Sequence, residues 1–332
     1  MNRWHFVLVE NCKSRLFPAP SGVSQGSHLG PLLFLLMIND CPSLLKNVSI
    51  LLYADDLKLF HIIKSPRDCI SLQSDIDILS NWCDVNGFVL NIPKCAIMSF
   101  FRCKSPIFHN YRIGTQLIQR CEIFKDLGVI MDHKLTFNLH IDYVISKANS
   151  MLGFLKRNTR EFRDLGTLNS LYFSLVRSLL EFGSVVWSPN YRSHVERIER
   201  IQKSYSRYAL WRYGFVVLPP YSSRCKLLGL ESLYNRRSIA NCLFIFDVLS
   251  GKVKSPDLLQ RVGILVPARP LRSSNFLHVP FHRVNYGCSE PLTNCIVSFN
   301  SFFSLIDFHS TRQCIIGCIR ASVYNRVDVN VP

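Results

Sequence analysis

The stretch Ile50-Leu51-Leu52-Tyr53-Ala54-Asp55-Asp56-Leu57-Lys58-Leu59-Phe60 decides how the first third of the chain folds. Two short apolar runs flank Ala54-Asp55-Asp56, which predicts a hairpin: strand, acidic tip, strand. Two adjacent carboxylates on a tight turn cannot pair with each other. A hard divalent cation with oxygen ligands, such as Mg²⁺, relieves their repulsion. Two-metal phosphoryl transfer uses carboxylates of this kind to hold the ions that bind the attacking and leaving oxygens. Aspartate is also a favoured turn residue, so the pair alone leaves an ordinary surface turn open.

Upstream, Ser21-Gly22-Val23-Ser24-Gln25-Gly26-Ser27 leads through His28-Leu29 into Gly30-Pro31 and a continuous apolar run. Proline suits the first turn of a helix, so a buried helix is expected from Pro31 to about Ile38. The small residues around Gln25 would let backbone approach a ligand closely, though an ordinary Gly/Ser loop has the same composition. Downstream, Ile70, Leu72, Ile76, Leu79 and Trp82 fall at helical spacing, with Gly87 as a stop. Val89-Leu90-Asn91 and Ala96 to Phe101 are expected as further strands around a Pro93-Lys94 turn.

The whole chain sets the frame for these motifs. It has 332 residues, 48% of them hydrophobic, enough for packed cores and two or three domains. The 39 Lys/Arg against 23 Asp/Glu leave a net charge of +16, which favours an anionic partner such as nucleic acid. Thirteen cysteines without metal-ligand spacing fit reduced, buried thiols and a nuclear or cytoplasmic protein that is not secreted. The longest apolar run is well short of the roughly 20 residues a membrane helix needs, so no membrane partner is expected.

A second chemistry-bearing region is basic and helical. From Met151 to Tyr213 there are 11 Lys/Arg against 5 Asp/Glu. Val195, Ile198, Ile201, Tyr205 and Tyr208 share one helix face. Arg197, Arg200, Lys203 and Arg207 lie on the flanks and the opposite side, a positive ridge suited to duplex phosphates. The plainer alternative is a solvated face, with Glu196 and Glu199 pairing locally. Tyr205, Tyr208, Trp211 and Tyr213 suit base stacking, but core packing explains them more simply.

The motifs together carry a family resemblance. GVSQGSHLGPLLFLLMIND (22–40) followed by ILLYADDLKLF (50–60) resembles the palm of reverse transcriptases from LINE-type, jockey-like non-LTR retrotransposons. LNIPKCAIMSF (90–100) is similar to that family's strand–turn–strand, and FKDLGVIMDHKLTFNLHI (124–141) to its primer-grip segment. LYFSLVRSLLEFGSVVWSPN, VERIERIQKSYSRY and LLGLESLYNRRSIANCLFIFDVLSGK extend the likeness through the carboxy-terminal region. The resemblance implies an α+β fold: a partial palm of antiparallel sheet and helices over 1–132, a basic helical thumb over 133–213, and a carboxy-terminal region of unknown role over 214–332. It implies Asp55 and Asp56 as catalytic Mg²⁺ ligands, Gln25 and Gly26 beside the nucleotide, Tyr53 next to the primer end and Lys94 near nucleotide phosphates. It also implies Leu127 and Gly128 at the primer strand, with an RNA template and a DNA primer as partners. A lysine on a solvated turn is an equally simple account of Lys94.

The sequence departs from the family pattern in two ways. Ser24 stands where the family usually has proline. The family's palm also takes a third aspartate from a strand well upstream of the Gln-Gly loop, and between Met1 and Asn39 the only acidic residue is Glu10. The expectation is therefore an RNA-directed DNA polymerase fragment without endonuclease, fingers or first palm aspartate, inactive by itself. A non-catalytic nucleic-acid-binding remnant and a translated relic without function are the alternatives. Loss of upstream strands would leave apolar surface open to association.

Overall fold

The computed structural model describes residues 3–19, 22–23, 26–266 and 275–327. The chain divides into two compact units, Met1–Glu122 and Ile123–Pro332. Mixed helix and short sheets make the fold α+β.

In the first unit, β1 (Arg3–His5) pairs antiparallel with β4 (Phe17–Ala19), and β2 (Leu8–Val9) with β3 (Cys12–Lys13). Helices α1 (Gly30–Ile38) and α2 (Cys41–Leu44) follow, then the hairpin β5 (Ser49–Tyr53) and β6 (Asp56–Phe60). Helix α3 (Pro66–Val85) starts where the sequence punctuates it. Ser65 and Asp68 form a reciprocal capping box and Pro66 occupies the first turn. Its Leu79, Trp82 and Cys83 build a core with Ile38, Cys41 and Leu45.

Two expectations fail here. Helix α1 forms, but it is not a buried helix: Leu32, Leu33, Leu35, Leu36 and Met37 are exposed. Only its Phe34 and Ile38 side reaches the core, with Phe34 edge-on to Phe88 at 6.3 Å. The strand at 89–91 is absent, and only Ala96–Ile97 (β7) of the second forms. A 3-10 turn at Ile92–Lys94 intervenes, and β7 pairs parallel with the distant β10 (Gln119–Arg120). Between them lies the short hairpin β8 (Arg112–Ile113) and β9 (Gln116–Leu117). The expected palm sheet is thus resolved, among the described residues, into separate two-stranded pairs.

The second unit opens with the hairpin β11 (Ile123–Asp126) and β12 (Val129–Asp132), followed by α4 (Asn138–Asn158). The division at Glu122, ten residues before the expected one, has a packing reason: Val129 of β12 joins Ile141 and Val144 of α4 in one core. Next comes a continuous helix, α5 (Leu165–Tyr172), a π turn at Phe173–Arg177 and α6 (Ser178–Glu181). In the π turn the Ser178 N–H reaches back five residues to Phe173 O, and Arg177 lies over the Phe173 ring at 3.6 Å.

The remaining helices are α7 (Ser184–Trp187), α8 (Arg192–Tyr213), α9 (Tyr221–Leu228), α10 (Leu233–Leu249), α11 (Pro256–Gln260), α12 (Asn285–Cys288), α13 (Pro291–Phe302) and α14 (Arg312–Val327). Helices α4 to α9 enclose one core, where Tyr172 and Tyr205 stack with centroids 3.9 Å apart. Helices α10, α13 and α14 enclose a second. Helix α10 packs on both sides: against α6, α7 and α8, and against α13. Among the described residues no helix is long and apolar enough to cross a membrane.

Candidate active site and nucleic-acid interface

The acidic tip stands on an amphipathic hairpin. Ile50 faces Leu59 and Leu52 faces Leu57 across the ladder, and these four pack toward the α1–α3 core. Alternation then turns Leu51, Tyr53, Asp56 and Lys58 to the other face. Tyr53 and Asp56 are directly opposite, so Ala54-Asp55 is a two-residue turn. Ala54 has φ of 51°, a left-handed conformation that costs a non-glycine residue energy and is concentrated at functional sites. Tyr53, Asp55 and Asp56 are exposed, and no described residue pairs with either carboxylate.

The hairpin is positioned by a residue the sequence reading overlooked. Asp75 of α3 is fully buried, and its Oδ2 accepts from the backbone N–H of Asn47 (2.8 Å) and Val48 (3.1 Å). Its Oδ1 accepts from Asn47 Nδ2 at 2.9 Å. The carboxylate therefore ties α3 to the chain entering β5. An aspartate on the apolar face of an amphipathic helix was the available signal.

The other expected residues of this unit are less informative. Gln25 lies outside the described residues. Gly26 has φ of 81°, a conformation glycine adopts without strain, and its surroundings are open. Lys94 is exposed at the end of the 3-10 turn. Among the described residues no cluster of three His, Cys, Asp or Glu converges as a metal cage.

In the second unit, Leu127-Gly128 is the two-residue turn between β11 and β12. Both have positive φ, 44° and 89°, the pattern of a tight hairpin turn, and leucine is a costly residue for its first position. Gly128 is constrained twice, since a Cβ there would sit 3.0 Å from Phe182 Cε1.

The positive ridge of α8 is narrower than expected. Ile198, Ile201 and Tyr205 are buried, with Val195 and Tyr208 half-buried, as the stripe requires. Arg197, however, is engaged by Asp142 of α4 at 2.6 Å, and Lys203 is half-buried, 5.2 Å from the Tyr221 ring centroid. Arg200 and Arg207 remain exposed. Glu196 pairs locally with Arg192 at 2.7 Å, but Glu199 turns inward and accepts from Tyr221 and from the Leu233 N–H (3.0 Å). Tyr205 and Tyr208 belong to the core and its edge; Trp211 and Tyr213 are exposed.

Comparison with known proteins agrees with this arrangement of motifs. Residues 2–163 match the reverse transcriptase (RNA-dependent DNA polymerase) family. The chain is 28% identical over 210 residues to an RNA-directed DNA polymerase from mobile element jockey of Drosophila melanogaster, covering 60% of this chain and 23% of that protein. The corresponding jockey polymerase of Drosophila funebris is 28% identical over 217 residues, covering 59% and 22%. A probable RNA-directed DNA polymerase from transposon BS of Drosophila melanogaster is 24% identical over 241 residues, covering 60% and 26%. The chain thus spans about a quarter of the length of these relatives. No solved structure matches it. Residues 2–163, which hold both the Gln25-Gly26 motif and the acidic hairpin, thus match the reverse transcriptase family, and the chain is similar to the polymerases of jockey-like retrotransposons.

Proposed function

We propose that this chain carries the palm and thumb portion of an RNA-directed DNA polymerase, with Asp55 and Asp56 as ligands for Mg²⁺. The observation that supports this most is the hairpin tip: two adjacent carboxylates, exposed, without a pairing residue among those described, on a strained turn held by packing below. An oxygen-only donor pair of this kind suits a hard cation. Bound Mg²⁺ would offset charge developing on the transferred phosphoryl group. Tyr53, across the ladder from Asp56, would lie against the primer end. Gln25 and Gly26 would contact the nucleotide, and Lys94 its phosphates. Leu127-Gly128 would approach the primer backbone, where a side chain at 128 would obstruct.

The same reading holds that this polypeptide alone does not polymerise. Two carboxylates at one tip do not supply the bridging set that two ions need, and the described residues offer no third ligand. Primer extension with Mg²⁺ on an RNA template is expected to give no product. Robust incorporation that Asp55→Asn abolishes would overturn this and show that the pair suffices. Binding of Mn²⁺, followed by water-proton relaxation, should persist in wild type and disappear in Asp55→Asn/Asp56→Asn. Equal binding by both would remove the metal-site assignment.

The thumb assignment predicts salt-sensitive binding of a primer–template duplex. Each phosphate contact contributes about one unit to the slope of log affinity against log salt. Arg200→Ala/Arg207→Ala should therefore lower that slope by about two, whereas Arg197→Ala, already engaged by Asp142, should leave it nearly unchanged. An unchanged slope in the double variant would exclude α8 as the phosphate contact.

A further inference from the structure

Beside the Leu127-Gly128 turn, and wholly within the second unit, is a cleft of about 240 Å³ whose lining combines features nothing above explains. Its walls include the rings of Tyr143 and Phe182 and the bare backbone of Gly128. Lys125 and Lys147 line it too, with their ammonium groups 5.0 and 5.8 Å from the Tyr143 ring centroid. Lys125 Nζ is also 3.4 Å from the Tyr143 hydroxyl. Both lysines are exposed, and no described carboxylate pairs with them. The two positive charges hold the Tyr143 phenol below its usual pKa, through the Lys125 hydrogen bond first.

The lining also contains His140, only 1% exposed. Its Nδ1 accepts from the Ile130 N–H at 3.2 Å, so the hydrogen resides on Nε2. Burial, reinforced by Lys125, holds the imidazole neutral by pushing its pKa below the ordinary value. Yet Nε2 has no hydrogen-bond partner among the described residues. A buried donor without an acceptor is costly, and such groups call for an explanation. An apolar aromatic slot, a donor without an acceptor and two cations that no described carboxylate neutralises together describe a ligand with a flat ring, ring acceptors and an anionic group.

We propose that this cleft receives one nucleotide of a nucleic-acid strand, its base between Tyr143 and Phe182 within reach of His140, its phosphate on Lys125 and Lys147. The occupant fits the volume, since a nucleobase is flat and fills a slot that a duplex cannot enter. The requirement for Gly128 follows as well, because the turn forms part of the wall. The assignment rests on the reading that the second unit binds nucleic acid, and the test separates the two.

Calorimetric titration of the full chain with dAMP, deoxyadenosine and inorganic phosphate is expected to show dAMP binding most tightly. Loss of either the base or the phosphate should weaken binding about tenfold, as for one lost charge-assisted contact. Lys125→Ala/Lys147→Ala removes two exposed side chains, so its fold should survive, and it should weaken dAMP about tenfold. Duplex binding through α8 should remain, with Arg200→Ala/Arg207→Ala as the converse control. A 5′-phosphorylated tetranucleotide binding more tightly than dAMP would identify a strand as the source; the reverse order would point to free nucleotide and overturn the strand assignment. No dAMP binding by a natively folded chain, or equal binding by the lysine variant, would overturn the site while duplex binding still reported on the thumb.

Discussion

Glu199→Ala is expected to destabilise the helical unit by about 3–5 kcal/mol, the usual cost of removing one member of a buried charged network. Glu199 is 9% exposed. Its Oε1 accepts from Tyr221 Oη and its Oε2 from the N–H of Leu233, the first residue of α10. Gln202 joins this group, donating to Tyr221 Oη (2.9 Å) and Glu231 O (3.0 Å) while accepting from Tyr172 Oη (3.1 Å). Burial and the neighbouring carboxylate push the Tyr221 phenol well above its usual pKa, so the tyrosine stays a donor. Alanine would leave two donors without their acceptor.

It would also strip a counter-charge from Arg237, which is 2% exposed and has two guanidinium nitrogens without hydrogen-bond partners among the described residues. Burial depresses the Arg237 pKa, opposed by Glu199 and Glu181. Arg237→Met should therefore cost less in a Glu199→Gln background than in wild type. Urea melts followed by helical circular dichroism measure all four corners of that cycle. Strictly additive costs would show that Glu199 and Arg237 are not energetically linked.

Asp75→Ala carries the second large effect, about 2–4 kcal/mol on the first unit, because hydrogen bonds to a buried charge are worth more than neutral ones. The lost contacts all hold Asn47 and Val48, immediately before β5. The damage should therefore reach the acidic tip. Amide exchange at Asn47, Val48 and Ser49 should quicken far more than exchange in the middle of α3, and Mn²⁺ binding should weaken without any change to Asp55 or Asp56. Asp75→Asn, which keeps one acceptor oxygen, should lie between wild type and alanine. Unchanged protection at Asn47 and Val48 would show that the anchor is dispensable.

What was legible in the sequence was local. The β5–β6 hairpin follows from apolar runs around an acidic turn, α3 from apolar residues at helical spacing before Gly87, and α8 from the stripe of Val195, Ile198, Ile201, Tyr205 and Tyr208. What escaped depended on partners far along the chain. Val89 has strand propensity, but it is 95% exposed, and β propensity needs a neighbouring strand to act on. Arg197 reads as a phosphate ligand until Asp142, 55 residues away, claims it. Glu199 reads as a surface partner until α9 and α10 fold over it. The exposure of α1 was illegible for the same reason: an apolar run states a demand for cover without stating whether cover is present.

The π turn at Phe173–Arg177 makes this segment tolerant of a change that would wreck an ordinary helix. The wide turn closes over five residues where an α turn closes over four, so it holds one residue more. Loss of one codon there would relax it to ordinary α geometry and leave the residues beyond it facing as they do now. Leu180 would stay buried, and Glu181 would keep Arg236, to which it is joined through two guanidinium nitrogens. Related elements should accordingly differ by a single residue in this stretch, whereas the same deletion in α4 or α8 would turn every later residue by about 100° about the axis.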